Sequence, residues 1–185
     1  YQGNFVNIMY DGKIPNIIFP KMIAPFGISR FENKNDSKVS YGLETSLEEK
    51  SGNNELKAVY DKCIEFDKFI IDSVQKNWKA FQYDDEKPDL KQLKKAYSPM
   101  VRPSLDKDKK PTDYSSRIKS AIIPNKERIF PITCFDENKK NIEINTDNFN
   151  KVVSPKDEVS TVKLLRQIWF MSSGGFGTSW DIKQM

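Results

Sequence analysis

The chain has 185 residues, a net charge of +4, 37% hydrophobic and 12% aromatic residues. That length fits one domain with a core that needs neither disulfides nor metals, and the composition excludes a disordered chain. With no histidine and two cysteines, a Ser-His-Asp triad, a Cys-His dyad and any histidine-ligated metal are excluded within the chain.

Residues 5–10 alternate apolar with polar, Asp11-Gly12 is a turn pair, and 14–19 is short and rich in isoleucine, so the chain opens on strands. A further strand is expected over 22–31, where the glycine of Pro25-Phe26-Gly27-Ile28-Ser29 predicts a bulge or tight bend. Val39, Tyr41 and Leu43 then share one face of a strand over 39–45. After Ser51-Gly52-Asn53-Asn54 the period changes from two to about 3.6. Leu56, Val59, Tyr60, Cys63, Ile64, Ile70, Val74, Trp78 and Phe81 fall on one side, which predicts an amphipathic helix over 55–81 capped by Asn53 or Asn54. Its aromatics read as packing. A shorter helix starts near Pro88, with Leu90, Leu93 and Tyr97 inward and Lys91, Lys94 and Lys95 outward.

Strands return over 100–104 and 115–123, the second placing Arg117 and Lys119 on one face between Ile118 and Ser120. Pro124-Asn125 turns the chain, 128–135 reads as a strand, and Asn138 to Asn141 as a hairpin tip leading into 142–144. The strongest β signal closes the chain: 161–171, a Ser172-Ser173-Gly174-Gly175 turn, and 176–182 with Phe176, Thr178, Trp180 and Ile182 on one face. Strands interrupted once by helices predict a mainly β, α+β domain over 1–185, a small barrel or sandwich with a helical insertion at 53–97. Cys63 and Cys134 read as buried and reduced, which fits an intracellular setting. No run of apolar residues predicts a membrane span, and no secretory signal is expected.

Charge is distributed unevenly. Residues 91–128 carry 11 basic and 4 acidic side chains, against 12 and 15 over 1–90 and 7 and 7 over 129–185. A focused positive stretch attracts polyanions by counterion release. Strand faces that alternate cations with small or aromatic residues suit a single nucleic-acid strand, whose phosphates pair with Lys and Arg while its bases lie on aromatic rings. The candidates are Lys94, Lys95, Arg102, Tyr114, Arg117, Lys119, Lys126 and Arg128, with Lys163, Arg166 and Trp169 in the penultimate strand. A catalytic reading has less to stand on, and no enzyme, metal or cofactor is expected. The acidic groups Asp84-Asp85-Glu86, Asp136-Glu137 and Asp157-Glu158 fall in turns, and Gly174-Gly175-Phe176-Gly177 lacks the following helix of a phosphate loop.

Pro25-Phe26-Gly27-Ile28-Ser29, Tyr41-Gly42-Leu43 and Ser46-Leu47, together with Ile168-Trp169-Phe170, Gly174-Gly175-Phe176-Gly177 and Thr178-Ser179-Trp180, resemble the single-stranded-DNA-binding proteins of the nucleocytoplasmic large DNA viruses, the African swine fever virus and giant virus group. The resemblance implies an OB-fold-like antiparallel β-barrel with one long and one short helix. It also implies a non-catalytic protein that coats single-stranded DNA without sequence preference in viral replication, recombination or repair, with viral replication proteins as partners at replication sites in the host cytoplasm. Its motifs carry no binding residues over. RNA in place of DNA, and a virion or replication-site scaffold with a solvated basic face, are the alternatives.

Overall fold

Residues 4–33, 38–48, 52–81 and 87–185 are described by a computed structural model and are mainly β. Four strands come first, β1 (Asn4–Asn7), β2 (Asn16–Ala24), β3 (Ile28–Glu32) and β4 (Val39–Ser46), followed by α1 (Asn54–Lys76) and α2 (Leu90–Ala96). Then come β5 (Tyr97–Ser98), β6 (Val101–Arg102), β7 (Arg117–Ile122), β8 (Cys134–Phe135), β9 (Asn141–Ile142), the short α3 (Phe149–Val152), and the closing hairpin β10 (Asp157–Phe170) and β11 (Phe176–Gln184).

One large sheet runs β1-β10-β11-β7-β4-β3, with β2 also on β10, β5 on β11 and β6 on β7, while β8 and β9 pair separately. At 14 residues, β10 offers its first half to β2 and its second to β1. The sheet is mixed where an antiparallel one was expected, because β5 and β7 both run parallel to β11. No hydrogen-bonded pair among the described strands closes it into a barrel. It is nevertheless curled. β2 packs against β4, and the Lys163 amine of β10 reaches Thr45 of β4 at 3.4 Å, although β11 and β7 lie between those strands in the sheet.

The strands expected over 14–19 and 22–31 are divided differently: β2 runs on through Pro20 to Ala24, and the break falls at 25–27, before β3. Facing Pro20, the β10 register shifts between Val159 and Thr161, so a bulge absorbs the missing N–H donor. The strand expected over 128–135 shrinks to β8. Asn125 Oδ1 there accepts from the backbone N–H of Glu127 and Ile129, and Arg128 takes a positive φ of 65°, so the chain turns twice before it can extend.

Asn53 caps α1, its side-chain oxygen accepting from the N–H of Glu55 and Leu56 at 3.0 and 3.2 Å. The helix buries Leu56, Cys63, Ile70, Ile71 and Val74 against Phe19, Met22, Leu165 and Trp180 at one end and Ile168, Phe170 and Phe176 at the other. It stops at Lys76, short of the expected Phe81, where Asn77 donates to Ser73 O from both its backbone N–H and its side-chain amide. Ile64 and Phe69 face outward rather than into the core. The inward position at the helix centre belongs to a carboxylate: Asp67 accepts from Tyr97 Oη at 2.6 Å and from the N–H of Met100 and Val101 at 3.0 and 3.3 Å. In α2, Leu93 is buried and Leu90 is exposed, and Asp89 and Gln92 form a capping box. Beyond the helices, Phe130, Ile144 and Val153 cover Tyr41, Leu43, Ile122 and Ile182 at the far end of the sheet.

Candidate nucleic-acid interface

Alternation along β7 sends Ile118, Ser120 and Ile122 inward and Arg117, Lys119 and Ala121 outward. Register extends that outward face across its neighbours, since Cα partners in a ladder point to the same side. Arg102 of β6 stands opposite Arg117, Ser46 and Glu44 of β4 stand opposite Arg117 and Lys119, and Ser29 and Phe31 of β3 stand opposite Gly42 and Ser40. Gly42 admits the Lys119 stem, whose Cε would lie 3.2 Å from a Cβ at that position. Arg102 and Lys119 are exposed and make no ion pair among the described residues, whereas the Arg117 guanidinium is held by Glu44 at 2.9 Å and stacks on the Phe26 ring at 5.1 Å.

At one end this face deepens into a cleft of about 400 Å³. Its walls are the Pro25-Phe26 turn and the segment around Ser104 and Tyr114, and Ser46, Glu48 and Arg117 complete the lining. Phe26 and Tyr114 are 52% and 77% exposed. The bend expected at Pro25-Phe26-Gly27 belongs to Gly27, whose φ is +58° and where a Cβ would meet Val153 O at 2.4 Å, and it leaves Phe26 on the surface. Phe26 was therefore a missed member of the site, as was Phe31, which is 64% exposed.

The penultimate strand divides its candidates. Lys163 is a correction: it is fully buried, with its amine 4.8 Å from the Phe19 ring centre, and lines no surface. The reason is a bulge between Leu165 and Gln167, which shifts the alternation so that Thr161, Lys163 and Leu165 point inward before it and Ile168 and Phe170 after it. Burial pulls the Lys163 amine down to about 7. Arg166 sits at the bulge, exposed, and is paired with Asp181 at 2.7 Å. Trp169 is half-buried and lies over Gly177, where a Cβ would meet its ring at 2.6 Å, so its ring packs on the sheet.

The remaining cations are dispersed. Lys94 and Lys95 are exposed in the last turn of α2, Lys126 is exposed in the turn after β7, and Arg128 pairs with Asp147 at 3.0 Å. The structure thus brings together Arg102, Tyr114, Arg117 and Lys119. It leaves Lys94, Lys95, Lys126 and Arg128 on other elements. Asp84-Asp85-Glu86 lies outside the described residues. Among those described, no group of three acidic or cysteine side chains is placed to hold a metal ion, and no helix is long and apolar enough to cross a membrane. Compared with known proteins, the chain matches no family model and no curated protein.

Proposed function

We propose that this protein binds single-stranded DNA without sequence preference, as a non-catalytic coating protein of viral DNA replication, recombination or repair. The observation that carries the reading is the outward face of β6, β7, β4 and β3, which carries Arg102, Arg117, Lys119 and exposed Phe31 and is flanked at its Arg117 end by exposed Phe26 and Tyr114. Lysine and arginine contacts to phosphates supply sequence-independent affinity, and aromatic rings accept any base because every base has a π-face. An OB-like barrel belongs to the same proposal. Its support is the curl that brings β2 onto β4 and the helix α1 packed across the interior residues Phe19, Leu165 and Trp180.

The salt dependence of binding tests the face itself. Each phosphate neutralised on a single strand contributes about 0.7 to the slope of log affinity against log salt. Arg102→Ala with Lys119→Ala is expected to lower that slope by about 1.4. An unchanged slope places the phosphates elsewhere. Arg117 is the weaker probe, because Glu44 already neutralises it. A second reading, a scaffold that docks a partner protein, is favoured by Ile64 and Phe69, which leave apolar side chains exposed on α1. It predicts a stable protein complex and DNA affinity that does not depend on strand length.

A further inference from the structure

We propose that the cleft between the Pro25-Phe26 turn and Tyr114 binds one unstacked nucleobase of the DNA strand, an assignment that rests on the single-strand reading above. The cleft volume of about 400 Å³ lies within the range of small-ligand sites, which are largely preformed and lined by rings with a few polar groups. Phe26 is an aromatic held out of the core by local geometry. The Gly27 N–H donates to Ala24 O at 3.2 Å, closing a turn with Pro25 at its second position, and Gly27 takes the left-handed conformation that follows such a turn. The next N–H, that of Ile28, donates to Val153 O at 3.2 Å, which fixes the turn to the body of the protein. From the sheet, the Arg117 guanidinium stacks on the Phe26 ring at 5.1 Å. A turn tied to the body of the protein sets where the ring is presented before any ligand arrives, an arrangement that lowers the ordering cost of stacking.

Charge decides between base and phosphate. Among the described residues Arg117 is the one cation lining the cleft, and Glu44 neutralises it at 2.9 Å. A phosphate there meets no unneutralised cation among the described residues. A neutral base meets the faces of Phe26 and Tyr114 and the hydroxyls of Ser46, Ser104 and Ser115, which donate to or accept from any base edge. The phosphates on either side of that base then fall toward Arg102 and Lys119 on the adjoining sheet face.

The test compares wild type with Phe26→Ala, Tyr114→Ala and Tyr114→Phe, using a dT oligonucleotide at several salt concentrations and duplex DNA of the same length. Either alanine variant is expected to weaken dT binding about 5- to 150-fold at fixed salt, the loss of one stacked base, with the salt slope unchanged. Tyr114→Phe keeps the ring and is expected to restore most of the affinity that Tyr114→Ala loses. A strand carrying 2-aminopurine, held at saturating protein so that every strand is bound, is expected to lose fluorescence on wild type and to keep it on the alanine variants, which separates loss of stacking from loss of binding. Alanine variants that bind as wild type, or whose slope falls along with affinity, overturn the subsite alone. Wild type that does not prefer the single strand overturns the single-strand reading and the subsite with it. Free dTMP that competes as tightly as the strand makes this a mononucleotide site and overturns the assignment to a strand.

Discussion

Lys163 carries a primary amine into the interior of the curled sheet, where Thr45 Oγ1 at 3.4 Å is the hydrogen-bond acceptor and Phe19 supplies a ring face at 4.8 Å. Among the described residues no carboxylate pairs with it, and the neighbouring Cys63 thiol is itself pushed up to about 12 by burial and stays neutral. Desolvation therefore dominates and holds the amine near 7 against an ordinary 10.5. The folded protein then binds fewer protons than the unfolded chain across the window from about 7 to 10.5, so stability rises with pH there, by up to about 1.4 kcal/mol per pH unit. Below about 7 both states are protonated and the slope vanishes. Lys163→Met is expected to flatten the rise and to raise the melting temperature at pH 7, since an apolar side chain of similar length replaces a buried charge. Thermal unfolding of both proteins from pH 6 to 10 checks this, and parallel curves would sink it. The burial of Lys163 was hidden in sequence because the bulge after Leu165 shifts the alternation, and nothing in Leu164-Leu165-Arg166-Gln167 announces an extra residue.

At the scale of elements, periodicity located most of what the chain forms. The change from period two to 3.6 at Asn53 found α1 and its cap, and the alternation of Arg117 to Ile122 gave the facing of β7 correctly. What periodicity does not report is a partner that outweighs hydrophobicity. Asp67 occupies an inward position of α1 because Tyr97 Oη and the N–H groups of Met100 and Val101 need an acceptor there, and those groups belong to a segment 30 and more residues away. The carboxylate ties the helical insertion back to the sheet at β5 and β6. Asp67→Ala is expected to cost about 3 kcal/mol or more, because three buried donors lose their acceptor at once. Asp67→Asn, which keeps one oxygen, is expected to lose roughly half as much. Chemical denaturation reads both, and an alanine variant within about 0.5 kcal/mol of wild type, the range of an inert surface change, would show that the network is not holding α1.

For the whole molecule, the +7 stretch over 91–128 was legible as charge, and the structure shows how little of it converges. Arg102, Arg117 and Lys119 share one face because β6 and β7 are paired. Lys94, Lys95, Lys126 and Arg128 are near in sequence and separate in space, since a helix and a turn carry them away. Phe26 and Phe31 were unreadable as surface residues, because an aromatic beside a glycine or within a strand is ordinarily core, and only register and turn geometry place these two outside. On the proposed function this face prefers a flexible single strand to a duplex, whose bases are already stacked and unavailable to Phe26, Phe31 and Tyr114. Fluorescence anisotropy of labelled dT oligonucleotides of increasing length, competed with duplex DNA and with RNA at two salt concentrations, measures that preference directly. Affinity that grows with strand length, weakens with salt and resists duplex competitor is the predicted result, and equal, weak binding of single strand and duplex would contradict the account.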